Sequence, residues 1–252
     1  GPKVALFEQE FKNYVGAEYA IAVSSCTAAL HLSMIVSGIG HGDEVITTPM
    51  TFCATANAIL HTGAVPVFVD IDPKTMNIDP ELVEKAITKR TKAILPVHFA
   101  GRPCDMKSLM KIAKDNGLHL IEDCAHAIET SCEMGKVGSI GDLSCFSFYV
   151  TKNVVTAEGG MITTNRKDWA DKLKIYALHG MSRDAWKRYS DDGFRHYEVL
   201  VPGFKYNMTD IQAAIGLSQV PSIEKNWFIR KKLWEMYYEN LSDTNIILPK
   251  YP

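Results

Sequence analysis

The chain predicts an α/β fold built on a mostly parallel central sheet, and three observations carry that prediction. Short apolar, β-type runs alternate with segments of helical period along most of the sequence. The run ending in IEDCAHA sets a carboxylate just past the end of a buried strand, where open α/β sheets gather ligand groups. The segment LSCFSFYVTKNVVTAEGGMITT reads as strand, turn and returning strand, with one lysine on the turn.

Val4, Phe7, Phe11 and Val15 recur at helical spacing, so residues 2–15 are expected to form an amphipathic helix. Ile21 to Val23 is a short strand, Ser24 to Thr27 a turn of small residues, and a helix is expected from Ala28. Gly38, Gly40 and Gly42 follow that helix and precede the strand Glu44 to Thr48, the reverse of a dinucleotide-binding context. They read as a helix stop and turn, which argues against an NAD-dependent dehydrogenase. A turn at Pro49, a helix from Cys53 to His61 and a strand from Val65 to Val69 come next. Pro80 suits the first turn of a helix reaching Thr88. Strand Ala93 to Val97, a loop from His98 to Pro103, helix Met106 to Asn116 and strand His119 to Glu122 form another βαβ unit. Gly135 to Gly141 reads as a loop, Leu143 to Val150 as a buried strand and Met161 to Thr164 as its return. A charged helix over 168–178, a long polar loop LHGMSRDAWKRYSDDGFRHYEV, a helix opening at Thr209-Asp210 and another from Ile223 complete the chain.

The 252 residues are 46% hydrophobic and 22% charged, enough for one sizeable core. A net charge of -2 without a basic run excludes nucleic acid as the expected partner. No apolar run approaches membrane-spanning length, and GPKVALFEQEFKNYV is no signal or transit peptide, so a cytoplasmic protein without membrane association is expected. The cysteines at 26, 53, 104, 124, 132 and 145 form no CxxC pair, and the eight histidines supply no paired ligands. Buried free thiols and no metal are the expectation.

The candidate chemistry lies in four places. Lys152 is either a desolvated nucleophile at the end of a buried strand or a lysine on a solvent-facing turn. The SSCTAAL turn opens a helix, which suits a phosphate and equally suits ordinary capping. Asp123 is either a ligand group or a cap or ion-pair partner. Phe52, at a strand-to-helix junction, is a core candidate.

SSCTAAL, EDCAHA, SFYVTKN followed by EGGM, and the helix after Asn207 occur in that order. Together they resemble the DegT/DnrJ/EryC1/StrS family of pyridoxal 5′-phosphate (PLP) enzymes, mostly aminotransferases of nucleotide-linked keto sugars. The resemblance implies a three-layer αβα large domain of the aspartate-aminotransferase-like PLP fold type I. It implies that Lys152 binds the cofactor covalently and shuttles protons, and that Asp123 is the partner of its ring nitrogen. It further implies cofactor contacts from Thr27, Ala28 and Ser147 (phosphate), Phe52 (ring stacking) and His126 (near the phenolic oxygen). Asn207 would reach the phosphate of a neighbouring subunit, making a homodimer with a shared site. The reaction implied is amino transfer, from L-glutamate, to a keto group of a nucleotide-linked deoxysugar. The HGMSRDAW loop and HFAGRPCDM point to C4. Cell-surface polysaccharide or amino-sugar synthesis would be its setting. The alternatives are an inactive, scaffold-type PLP-binding member and a PLP-dependent sugar dehydratase, against which Lys152 argues, since those members carry histidine there. Residues 1–222 are expected to form the PLP-binding large domain. Residues 223–252 would be a connecting helix and the start of a small domain that is mostly missing.

Overall fold

The computed structural model describes residues 1–182 and 198–249. The chain opens with α1 (Pro2–Val15) and β1 (Tyr19–Val23), followed by α2 (Cys26–Val36), β2 (Glu44–Thr47), α3 (Cys53–Leu60) and β3 (Val65–Phe68). The middle comprises α4 (Pro80–Ala86), β4 (Thr91–Ile94), α5 (Met106–Asn116) and β5 (His119–Asp123). A small hairpin, β6 (Ser131–Cys132) and β7 (Gly135–Lys136), leads to β8 (Leu143–Ser147) and β9 (Gly160–Thr164). Helices α6 (Lys167–Ala177), α7 (Asp210–Gln219) and α8 (Ile223–Leu241) complete it.

Seven strands form one sheet in the order β1-β9-β8-β5-β4-β2-β3. Strand β9 runs against both of its neighbours, β1 and β8, and the pairings from β8 to β3 are parallel. The expected mostly parallel sheet is therefore present. Alternation along each strand divides the core. Val45, Ala93, Ile121, Leu143 and Cys145 face α2, α3 and α6, while Ile46, Ile94 and Leu120 face α4 and α5. At the other end, Phe146 and Phe148 meet Phe7 and Phe11 of α1, with ring centroids 5.0–5.4 Å apart across the two elements. Each such ring, fully buried, contributes about 1.5–3 kcal/mol. The result is three layers, helices on both faces of the sheet.

Local chemistry explains the element boundaries. Asp79, Asp105 and Thr209 cap α4, α5 and α7 by accepting first-turn N–H groups, each cap being worth about 1 kcal/mol. At α7 Gln212 returns the bond, completing a capping box. Gly216 of α7 permits close approach to α1, since a β-carbon there would stand 2.6 Å from the Phe7 ring.

Four expectations need correction. Helix α2 starts at Cys26 rather than Ala28, because Ser25 is extended (φ −166°) and its hydroxyl accepts the Ala28 N–H at 3.1 Å. Strand β8 ends at Ser147 rather than Val150, because the chain turns outward and leaves Tyr149 and Val150 exposed. The 135–141 loop contains β7, whose partner β6 lies before it. Cys53 is exposed at the start of α3, although all six cysteines are free thiols. The long polar loop lies mostly outside the described residues. Among the described residues no helix is long and apolar enough to cross a membrane.

Candidate active site

Strand β5 presents two neighbouring carboxylates to opposite faces of the sheet. Glu122 is fully buried. Its Oε1 accepts the Ser144 hydroxyl at 2.7 Å and the Gly141 N–H at 2.8 Å, and its Oε2 lies 2.9 Å from His98 Nε2. Burial alone would raise the Glu122 pKa; the His98, Ser144 and Gly141 donors reverse that and hold it below the ordinary carboxylate range. Burial disfavours a charged His98 ring, while Cys104, Cys124 and the Glu122 carboxylate outweigh it and push the pKa well up, yet the direction of one backbone donor decides for the neutral ring. The Cys104 N–H points at His98 Nδ1 from 3.1 Å, which requires a lone pair there and assigns the neutral ring that donates through Nε2. Cys124 brings a third potential metal-ligating atom near this pair, with all three within 4.8 Å. The 2.9 Å approach of His98 to Glu122 is a hydrogen bond, and the group is a satisfied polar network.

Asp123 is placed differently. Its Oδ2 accepts the Thr55 hydroxyl at 2.8 Å, and its Oδ1 the Ala125 N–H at 3.1 Å. Thr51, one turn before Thr55, stands 2.6 Å from it, so two hydroxyls run in series to the carboxylate. Burial raises the Asp123 pKa, and the Thr55 and Ala125 donors oppose that only in part. This carboxylate accepts two neutral donors and retains lone pairs for a third, cationic one.

Just past Asp123 the chain lines a cavity of about 210 Å³ with Cys124, Ala125 and His126. Ser147, Thr151 and Lys152 line its other side. Ser147 and Lys152 stand at an odd offset, yet the Val150–Thr151 turn brings both to this cavity. Lys152 is half-buried, its N–H donating to the Tyr149 carbonyl at 2.9 Å, so it is neither fully desolvated nor on an open turn. Burial lowers the His126 pKa, the nearby Lys152 charge lowers it further, and Asp123 opposes both. His126 is therefore a neutral imidazole near neutral pH.

The N-terminus of α2 abuts this region. Gly160 of β9 packs so closely that a β-carbon would lie 2.5 Å from Ser25 C, and this contact seats the SSCTAAL turn against the sheet. Helix geometry leaves first-turn amides without intrahelical partners, the arrangement that binds anions. The Ala28 amide is already engaged by Ser25, so Thr27 is the freer of the two expected contacts. Cys26 Sγ lies 3.6 Å from the Cys145 carbonyl, and burial, with Asp123 next, pushes its thiol well above the usual range. Phe52 is 77% exposed at the N-cap of α3, so the core reading fails for it. Asn207 pairs with Val23, one residue before the Ser24 turn; its Oδ1 accepts Lys205 Nζ at 2.7 Å. Lys152, Ser147 and His126 are thus gathered in one cavity, with Asp123 beside it. Thr27, Ala28, Phe52 and Asn207 lie outside its lining. Sequence reasoning missed Thr51 and Thr55; their one-turn spacing across a helix start was the available signal.

A buried carboxylate awaiting a cation, a lysine on the facing turn and a capped helix N-terminus suit a phosphorylated pyridine aldehyde. With the mostly parallel sheet, they place the chain among α/β proteins of aminotransferase-like architecture. The chain belongs to the DegT/DnrJ/EryC1/StrS aminotransferase family, whose profile matches residues 1–251. It is 55% identical over 224 residues to the spore coat polysaccharide biosynthesis protein SpsC of Bacillus subtilis, covering 89% of this chain and 58% of SpsC. Spr1654 of Streptococcus pneumoniae superimposes in its PMP-form with a TM-score of 0.91 at 33% identity, over 98% of this chain and 67% of that one. It has also been solved in a PLP-form. Helicobacter pylori PseC, an aminotransferase involved in the biosynthesis of pseudoaminic acid, superimposes at 0.91 and 33% identity, over 97% and 64%. The chain spans about three-fifths of the length of the curated relatives it matches.

Proposed function

We propose that this chain carries the cofactor-binding part of a PLP-dependent sugar aminotransferase. It would move an amino group from L-glutamate to the C4 keto group of a nucleotide-linked deoxysugar, in polysaccharide or amino-sugar synthesis. The observation that carries the reading is the cavity that Lys152 shares with Ser147 and His126, with Asp123 buried beside it. Kinship with SpsC and PseC supports the sugar class.

When bound, PLP supplies an electron sink for the carbanion formed at the donor's α-carbon. Lys152 Nζ is the group that would hold the cofactor covalently. As a free amine, Lys152 Nζ would take the proton from the donor α-carbon and, in the second half-reaction, would deliver one to the sugar carbon that receives nitrogen. Asp123, with lone pairs left over after Thr55 and Ala125, would hold a proton on the ring nitrogen. Thr27, Ala28 and Ser147 would hold the phosphate, and Phe52 would stack on the ring. His126, as a neutral imidazole, is a hydrogen-bond partner beside Lys152. Asn207 serves the phosphate of a partner subunit in a homodimer. Residues 1–222 form the large domain in this reading, and α8 leads away from it.

The test is the visible absorption spectrum of wild type beside Lys152→Ala, with PLP and then with glutamate. A yellow band in the wild type that glutamate bleaches, absent from the variant, is expected. Turnover of the variant should fall by about 10³-fold or more. A band that glutamate cannot bleach would favour a scaffold role, and an unchanged band in the variant would overturn the assignment of Lys152.

A further inference from the structure

Glu129 is a buried carboxylate that the proposed chemistry does not use; its side chain is 4% exposed. Its two oxygens serve two distant parts of the chain. Oε2 accepts Asn153 Nδ2 at 2.8 Å, and Oε1 takes the Arg230 guanidinium in an ion pair. Asn153 directly follows Lys152, and Arg230 belongs to α8.

The turn that carries Lys152 has little internal bonding. Lys152 N–H reaches the Tyr149 carbonyl and Thr156 N–H the Phe148 carbonyl, both at 2.9 Å, and the Thr156 hydroxyl donates to the Glu158 carbonyl at 2.7 Å. Its other anchors come from helices. Gln219 of α7 grips both the N–H and the carbonyl of Val155, and Gln212 donates to the Glu158 carbonyl. Glu129 adds the anchor nearest to the lysine. Helix α8 in turn buries only Ile223 among its own residues, while Trp227, Phe228, Leu233, Met236 and Tyr237 are exposed. Polar clamps therefore hold its near end. One joins Glu224 to Lys136 and Tyr14, and the other is Arg230 on Glu129.

We propose that Glu129 and Arg230 are positioning residues for Lys152, a bridge through which the seating of α8 sets the lysine turn. A lysine places its amine only as well as its backbone is placed, and displacement by about 1 Å is enough to cost a large part of a reaction rate. Arg230 is 40% exposed on its side chain, so the bridge responds to whatever shifts α8. The catalytic consequence rests on the proposed function; the order of the turn does not.

The test compares the intact chain with E129Q, R230Q, R230K and the double variant E129Q/R230Q. The first readout is hydrogen exchange of the amides of residues 150–156 without cofactor, and the second is the rate at which Lys152 captures PLP, read as growth of the visible band. Each Gln variant should speed exchange in the turn and slow capture, both by about tenfold, and the double variant should be no worse than a single one. R230K should recover most of the protection. Faster exchange confined to α8, or additive effects in the double variant, would overturn the bridge. Should E129Q fail to fold, R230Q and R230K decide the matter, because Arg230 is partly exposed. A wild type that captures no PLP would sink the proposed function, and the exchange measurement would still decide the bridge.

Discussion

Glu122 and Asp123 are adjacent on one strand, equally buried, and opposite in character. Glu122 is met by an imidazole, a hydroxyl and a backbone N–H. Asp123 receives one hydroxyl and one N–H. Burial acts on both carboxyls in the same direction, yet Glu122 is driven below the ordinary range and Asp123 above it. The number of fixed donors decides the sign. A buried carboxylate that the protein fully satisfies ties strands and loops together. One left short of donors is ready for a cation brought by a ligand.

The largest expected effect tests the functional half of this contrast. Asp123→Asn should weaken PLP binding and cut turnover by about 10²–10⁴-fold with little change in melting temperature, checked by cofactor titration and steady-state kinetics. A fall of similar size in Glu122→Gln would erase the distinction. That variant is expected to act on stability instead. Its amide NH₂ would face the Gly141 N–H or the His98 N–H, donor against donor, and cost about 1–3 kcal/mol in denaturant unfolding.

The pH dependence of stability should split the pair by sign. The lowered Glu122 pKa contributes stability that is present above the ordinary carboxyl range and lost as pH falls through its own value. The raised Asp123 pKa does the reverse in cofactor-free protein: its contribution is present below the ordinary range and is lost as pH rises through the raised value. Unfolding free energies from acid to neutral pH should therefore lose the acid-side decline in Glu122→Gln and the rise-of-pH decline in Asp123→Asn. The smallest effect belongs to Thr55→Val, which removes one donor from Asp123 and keeps the side chain's shape. Its PLP affinity should fall by about tenfold, and an unchanged value would mean that Thr55 does not position Asp123.

Much of the fold was legible because it is local. Helical spacing of Val4, Phe7, Phe11 and Val15 located α1, and Asp105 and Gly117 bracket α5 as cap and stop. The lysine hairpin was legible from β-type residues around the EGG turn. Boundaries failed where a contact distant in sequence decided them. Aromatic and β-branched content extended β8 to Val150, whereas the chain leaves the sheet after Ser147 to bring Lys152 to the cavity. Phe52 reads as core by composition and stands exposed at a helix cap. The motifs name Lys152, Ser147 and His126, which share one cavity, and Asp123 beside it; Thr55 belongs to none of those motifs.

Sequence alone determined the order of strands and helices, the capped ends and the residue types offered to the cavity, because period, capping and turn chemistry act within a few residues. Only the tertiary structure decided which of two neighbouring carboxylates is satisfied and which is left open. The donors that decide it come from across the fold: Thr55 stands 68 residues from Asp123, and His98 stands 24 from Glu122. Burial and hydrogen bonding between such distant partners exist only once the layers have packed.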